Sequence, residues 1–163
     1  MTFDPILNAP VYLQLHAATA LIALCLGPVA LYRKRRDIWH KAIGYVWMLG
    51  MVITAITSFW IREIMADGSM SPVHIFAFLN LGTVVFAIWA VRRGNIIAHK
   101  QALNNLYYFG TWGAFIVNFM PNRTIPTMLF DGGTWLTFGM AATMIISLIM
   151  ITRLWPWLHV RTQ

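Results

Sequence analysis

The chain has 163 residues, of which 59 % are hydrophobic and 10 % are charged, and its mean hydropathy is +0.65. This composition excludes a soluble enzyme or binding domain, because a water-facing surface needs a larger share of charged side chains. The net charge of +7 does not indicate nucleic-acid binding, since most of the basic residues cluster beside the ends of apolar runs, where they face lipid headgroups.

Long charge-free runs predict five transmembrane helices. Each run has about 20 residues or more, which is enough to cross a hydrocarbon core of about 30 Å as a helix. Helices are expected because lipid cannot satisfy open backbone groups. We therefore predict an all-α polytopic bundle, a single membrane domain of residues 1–163, with spans at 10–32, 38–62, 72–92, 97–120 and 134–154.

Local signals mark where the helices begin. Asn8 is the expected cap of helix one, with Pro10 in its first turn, and Asp37 is the expected cap of helix two. Gly94 and Asn95 predict a short turn between helices three and four.

The distribution of basic residues predicts how the chain crosses the membrane. Ten of the twelve Lys and Arg residues fall on one side: Arg33, Lys34, Arg35, Arg36, Lys41, Arg92, Arg93, Lys100, Arg153 and Arg161. The positive-inside rule places that side in the cytoplasm. We predict a multi-pass protein of the cell inner membrane, with the N-terminus outside and the C-terminus cytoplasmic.

Four histidines recur at nearly equal spacing. His16 and His74 are 58 residues apart, and His40 and His99 are 59 apart. Helices one–two and three–four would then be parallel halves related by a pseudo-two-fold axis along the membrane normal. This arrangement places His16 opposite His74 near the outer rim, and His40 opposite His99 near the cytoplasmic rim.

Two facing imidazoles on different helices suit axial ligation of haem iron. Ionisable groups within apolar spans also mark function by default. Small residues near the histidines, among them Gly27, Gly44 and Gly82, leave room for a flat ring. Five basic residues are expected to pair with the propionates of the inner haem: Arg35, Arg36, Lys41, Arg93 and Lys100. The predicted cofactors are two b haems, and the predicted activity is transmembrane electron transfer, which would make the chain an oxidoreductase.

Other interpretations remain open. A single rim histidine is often an interfacial residue, as we expect for His159, and small residues also serve close helix packing. A haem-free transport, metal-binding or complex-assembly protein could use the same histidines to hold zinc or copper or to relay protons.

One histidine on each of four consecutive helices, paired first with third and second with fourth, resembles the core of the cytochrome b-561 family. That resemblance implies two b haems, held by His16 with His74 and by His40 with His99, and electron transfer across a membrane. The chain departs from the family in having five predicted spans rather than six, and no stretch identifies an ascorbate site.

The HKAIGYVW run at His40 and the AHK run at His99 also resemble a bacterial membrane family known only as a domain of unknown function. The candidate partners are the lipid bilayer, a quinone, a redox partner protein and a second copy of the chain. A quinone would be expected near Asn104, Tyr107 and Tyr108. No Walker loop or dinucleotide fingerprint is present.

Overall fold

The computed structural model describes residues 4–61 and 74–118, together with Gly139 and Ala142. The described helices are α1 (Asp4–Leu7), α2 (Val11–Tyr32), α3 (Ile38–Ser58), α4 (His74–Arg92), α5 (Ile96–Asn105), a π-helical segment (Leu106–Thr111) and α6 (Trp112–Val117). The predicted all-α class is confirmed for this part of the chain, which contains no strand.

Helices α2, α3 and α4 are each long and apolar enough to cross a membrane. They match the first three predicted spans. The predicted fourth span corresponds to three consecutive elements, α5, the π segment and α6, so it is not one regular helix. The predicted fifth span falls almost entirely outside the described residues, and the pseudo-two-fold repeat stays a prediction.

The chain divides into two compact units. One unit is Ile6–Thr111 and contains α2 to α5 and the π segment. The other comprises Met1–Pro5 and Trp112–Gln163, and its described helix is α6. All four candidate ligand histidines belong to the first unit.

The predicted cap at Asp37 and the predicted turn at Gly94 and Asn95 are confirmed. The Asp37 carboxylate accepts a hydrogen bond from the backbone N–H of His40 at 3.0 Å, and Asn95 accepts one from Ala98 N–H at 3.0 Å. Gly94 precedes that cap at a φ of 76°, a conformation that favours glycine. Both side chains satisfy N–H groups that the first turn of a helix cannot bond internally.

The predicted cap at Asn8 is wrong. Helix α2 follows Pro10, and no side chain caps it. Gln14 instead reaches back from the first turn, and its side-chain amide donates to the carbonyls of Leu7 at 3.0 Å and Ala9 at 2.9 Å. Gln14 thus fixes the residues that precede α2 from a position inside the helix. The sequence pattern of a cap residue ahead of the helix does not predict such a contact.

The helices of the first unit pack in a ring. Helix α2 packs on α3, α3 on α4, α4 on α5 and the π segment, and these two return to α2. Alanine dominates the interior: of the fourteen buried apolar residues in the described part of the chain, seven are alanine. Small residues let helix backbones approach closely, which is how helices associate in a bilayer.

The large apolar side chains lie on the outside. Leu21 and Leu49 are each 60 % exposed and Val85 is 67 % exposed. Large apolar residues outside and alanines inside are the reverse of a water-soluble bundle. This inversion is what a lipid-facing protein requires, because the surrounding hydrocarbon is as apolar as leucine itself.

Two aromatic residues fill the middle of the ring. Trp47 of α3 is fully buried, and its indole N–H donates to the carbonyl of Ala23 on α2 at 2.9 Å. Tyr107 of the π segment donates its hydroxyl to the carbonyl of Leu24 at 3.1 Å. The two rings meet edge to face with centroids 6.4 Å apart. Each polar atom has a partner, so the aromatic bodies can occupy the apolar interior.

Candidate functional site

All four predicted ligand histidines lie in register with the buried face of their helices. His16 precedes buried Thr19 and Ala23 by three and seven residues, and His40 precedes buried Trp47 by seven. These spacings place residues on one side of a helix. The same holds for His74, which is itself buried and precedes buried Ala77 and Asn80, and for His99, which precedes buried Ala102 and Leu103.

The imidazole of His99 is oriented by the backbone of α4. Its Nδ1 lies 2.9 Å from the carbonyl oxygen of Ala87. Because a carbonyl only accepts, Nδ1 must carry a proton, and in the neutral ring Nε2 then has a lone pair. A ring N–H donated to a backbone carbonyl is the arrangement that metal-ligating histidines commonly show.

His16 has the same tautomer by a different route. Its Nδ1 lies 3.2 Å from the hydroxyl oxygen of Thr57. That hydroxyl donates its only proton to a backbone carbonyl, at 2.7 Å from Ile53 and 3.1 Å from Thr54. Thr57 Oγ1 must therefore accept a hydrogen bond from Nδ1–H. In the neutral ring, Nε2 of His16 then has the lone pair, as in His99.

His74 lies beside the same end of α3. Its side chain is 4 % exposed and stacks on Phe59, with ring centroids 5.9 Å apart and an interplanar angle of 22°. Phe59 directly follows the helix whose last turn carries Thr57. His16 and His74 therefore both approach the C-terminal end of α3.

His40 and His99 lie at the opposite end of α3, which we call the basic end because residues 33–41 and 92–100 flank it. The Nδ1 atom of His40 is buried and has no hydrogen-bond partner within the described part of the chain. Thr57 lies seventeen positions after His40, so the two histidine levels are about 25 Å apart along the helix.

The small residues near the histidines differ in the space they leave. Gly44 lies one turn after His40, and a β-carbon placed there would meet no atom within 4 Å. At Gly27 the expected room is already taken by the ring of Tyr107, and Gly82 lies on an exposed position of α4. The prediction of space for a flat ring is therefore wrong at Gly27, whereas Gly44 and Gly82 both leave open space.

The five basic residues predicted to face propionates are all exposed: Arg35, Arg36, Lys41, Arg93 and Lys100. The guanidinium of Arg93 lies 5.0 Å over the ring of Trp89. The one ion pair found within the described residues joins Arg33 to Asp37. The basic end thus presents exposed cations around the level of His40 and His99.

The neighbours predicted for a quinone are engaged within the protein. Tyr107 is buried and donates to Leu24, and the hydroxyl of Tyr108 bonds that of Tyr32. Asn104 is partly exposed at the last turn of α5. Both tyrosine hydroxyls therefore hold parts of the protein together, and neither is left unbonded for a quinone.

Several residues at the site were not predicted from the sequence. Thr57 and the carbonyl of Ala87 orient His16 and His99, and Trp47 fills the space between the two levels. A signal for Trp47 was available, since it lies seven residues after His40 and hence on the same helix face. Ala87 offered no signal, because any residue supplies a backbone carbonyl.

The ring of apolar helices, with alanines inside and large side chains outside, defines a multi-pass helical membrane protein. The sequence profile of the family described as Predicted membrane protein (DUF2306) matches residues 13–155, and the chain belongs to that family. No curated protein matches the chain. No solved structure matches it either.

Proposed function

We propose that the chain is a di-haem membrane electron carrier, in which His40 and His99 hold one b haem and His16 and His74 hold a second. The observation that carries the proposal is the hydrogen bonding of His99 and His16. Each ring donates from Nδ1 to a fixed oxygen, Ala87 O at 2.9 Å and Thr57 Oγ1 at 3.2 Å, and so presents an Nε2 lone pair suited to a metal.

A pair of histidines meets the coordination need of haem iron. Haem iron takes one or two axial side chains from the protein, whereas zinc takes three or four ligands. His40 lies in the first turn of α3 and His99 in the first turn of α5, and Gly44 leaves open space one turn from His40. These two histidines would hold a bis-histidine haem at the basic end.

The protein around the histidines would orient the haem ligands, limit the access of water and supply cations near the haem. When bound, haem supplies one-electron redox chemistry. Ala87 and Thr57 hold the imidazoles in one orientation and tautomer, and the apolar ring of helices limits the access of water. The exposed cations at the basic end, among them Arg36 and Lys100, favour anionic groups such as propionates or lipid phosphates.

The distribution of charge supports an orientation for this carrier. With the basic end in the cytoplasm, as the positive-inside rule indicates, the His40–His99 level lies at the cytoplasmic face of an inner membrane and the His16–His74 level at the outer face. Two levels about 25 Å apart would connect the two sides of the hydrocarbon core.

Cofactor content tests the proposal directly. We expect the purified chain to show a Soret band and to yield about two b haems per chain in a pyridine haemochrome assay. His40→Ala or His99→Ala should each remove one haem and leave the other, and His159→Ala should remove none. A colourless protein expressed with ample haem supply would overturn the proposal.

A second candidate function is the binding of a metal ion at the same histidines. The filled interior around Trp47 and Tyr107 favours it, because a single ion needs far less room than a macrocycle. Elemental analysis separates the two functions: zinc or copper bound without haem, and lost in His40→Ala, would establish the metal site in place of the haem site.

A further inference from the structure

The outward face of α5 is polar, whereas the outward face of the neighbouring helix α4 is apolar. From Ile75 to Val91, every exposed residue of α4 has an apolar or aromatic side chain or is glycine. On α5 the exposed residues include Lys100, Gln101 and Asn105. Gln101 and Asn105 are four positions apart, so they lie on one side of the helix. The two helices therefore present different chemistry to their surroundings.

Asn105 lies level with the middle of α4. It lines an open cleft together with Leu79 and Thr83 of α4. Thr83 lies nine positions before Arg92, the last residue of α4, and this distance along a helix is about 14 Å. Since α4 is long and apolar enough to cross a membrane, Asn105 is placed well inside the hydrocarbon core.

The amides of Gln101 and Asn105 are unbonded within the described part of the chain. The side-chain amides of Gln14 and Asn80, by contrast, donate to the backbone carbonyls of Leu7 and Met51. A side-chain amide has two N–H donors and one acceptor oxygen, and hydrocarbon satisfies none of them. The exposed face of α5 therefore favours a partner in the bilayer that both donates and accepts hydrogen bonds.

The chemistry of this face favours a second copy of the chain as that partner. Gln101 and Asn105 carry no charge, so nothing at their level selects an oppositely charged protein. An amide both donates and accepts, so it is complementary to the same amide in another copy. Copies in one membrane share one topology, and a two-fold axis along the membrane normal brings each residue to the depth of its own counterpart.

We propose that the outward face of α5 is the interface of a homodimer, in which Asn105 of one copy bonds Asn105 of the other across the two-fold axis. Hydrogen bonds between amides on different helices hold helices together in bilayers. Gln101 pairs in the same way one turn closer to the basic end, where Lys100 extends its charge to the headgroups. The proposal concerns assembly and goes beyond the proposed haem chemistry.

The relief of the surface beside Asn105 supports a self-complementary interface. The open cleft is bounded by Phe109, which is 60 % exposed, and by Gly110, which has no side chain. A two-fold interface presents the same projection and the same recess on both copies. The Phe109 ring of one copy therefore has a recess available in the other, and the glycine allows close approach of the backbones.

Sedimentation equilibrium of the full chain in a density-matched detergent measures the association. We expect a monomer–dimer equilibrium, and Asn105→Leu should raise the dimer dissociation constant about tenfold, because leucine has a similar size and no hydrogen-bonding group. Asn105→Gln should have a smaller effect, since it keeps an amide on the same face. Tyr45→Phe is the matched control: it removes a polar group from an exposed position on α3 and should leave the constant unchanged.

Disulfide cross-linking locates the interface. The single native cysteine is first removed by Cys25→Ala, and one new cysteine is then introduced by Gln101→Cys on α5 or by Leu49→Cys on α3, where Leu49 is 60 % exposed. Two cysteines form a disulfide only when their Cα atoms lie within about 7 Å of each other. Oxidation in isolated membranes should give covalent dimers of Gln101→Cys, fewer when Asn105→Leu is added, and monomers of Leu49→Cys.

Three results would overturn the proposal. The first is a chain that stays monomeric at every concentration, which would mean that another part of the chain or a different protein covers α5. The second is an unchanged dissociation constant in Asn105→Leu, and the third is cross-linking of Leu49→Cys as complete as that of Gln101→Cys. Because the readouts are mass and cross-linking, a haem-free chain that dimerises through Asn105 supports the homodimer and counts only against the electron carrier.

Discussion

The phenol ring of Tyr107 occupies the place where residue 27 would carry a β-carbon. A Cβ built on Gly27 overlaps the ring carbons Cε2 and Cδ2 of Tyr107. The ring cannot retreat freely, because its hydroxyl is bonded to the carbonyl of Leu24 at 3.1 Å and its edge meets Trp47. The contact between α2 and the π segment therefore depends on the absence of a side chain at Gly27.

The first prediction is that Gly27→Ala destabilises the bundle. Overpacking a filled interior costs about 1–3 kcal/mol, which exceeds the gain of about 0.5–1 kcal/mol from replacing glycine by alanine within a helix. Thermal unfolding in detergent should show a lower midpoint than for the parent chain. Gly82→Ala is the control, since its Cβ meets open space, and its midpoint should not fall. An unchanged midpoint for Gly27→Ala would refute the packing described.

The second prediction concerns Trp47, the largest fully buried side chain among the described residues. Trp47→Phe removes the indole N–H that bonds Ala23 O at 2.9 Å and leaves a small void. We expect a loss of about 1–3 kcal/mol, measured by unfolding in a denaturing detergent series. Trp39→Phe is the matched control, because Trp39 is 64 % exposed. A similar small loss in both variants would contradict the central role of Trp47.

The third prediction tests the orientation of His16 through Thr57. Thr57→Val preserves the shape of the side chain and removes the oxygen that accepts from Nδ1. Loss of such an outer partner typically lowers affinity for a bound metal group about 10- to 100-fold. For the proposed di-haem carrier, haem titration should show weaker binding at one of the two levels only.

Ser58→Ala provides the control for Thr57→Val. Ser58 also bonds a backbone carbonyl of α3, that of Ala55 at 2.7 Å, and it makes no bond to a histidine within the described residues. Haem affinity should be unchanged in this variant. Equal losses in both variants would indicate a general effect of the helix end rather than an effect on His16.

The fourth prediction is a pH dependence at the basic end. The Arg33 guanidinium donates to Asp37 at 3.0 Å and, with the His40 backbone N–H, lowers the pKa of that carboxyl from 3.8 to about 2. A lowered pKa in the folded state contributes stability that is present above the unfolded value and is lost as pH falls towards the folded value. Unfolding midpoints should therefore decrease as pH falls from about 4 to about 2.

Asp37→Asn isolates this titration. The amide oxygen can still cap α3, but it carries no charge to pair with Arg33. The variant should have a lower midpoint than the parent chain at pH 6 and a smaller change between about pH 4 and 2. Identical pH profiles for the two chains would show that another group governs acid unfolding.

Features governed by local composition were predictable from the sequence. The first three spans, the Asp37 cap and the turn at Gly94 and Asn95 follow from apolar runs and from side chains that serve their own helix. The four histidines were singled out by spacing alone, and each lies in register with a buried helix face. Spacing works here because helical periodicity assigns a face before any tertiary contact is known.

Other features depend on contacts between helices that sequence reading does not supply. Gly27 was read as space for a cofactor ring, but the ring that fills the space belongs to Tyr107, eighty residues along the chain. The π segment was missed because its extra residue per turn leaves no mark in composition. The hydrogen bond from the Asn80 amide to Met51 O was not predicted for a related reason: Met51 lies on another helix.

The alanine-rich interior has a consequence for how stability changes with temperature. When helices of this kind separate inside a bilayer, the surfaces that had touched one another meet acyl chains rather than water. The apolar area exposed to water then hardly changes, and the heat-capacity increment that curves the stability of soluble proteins is largely absent. A nearly straight temperature profile, without cold denaturation, is expected for this bundle in lipid.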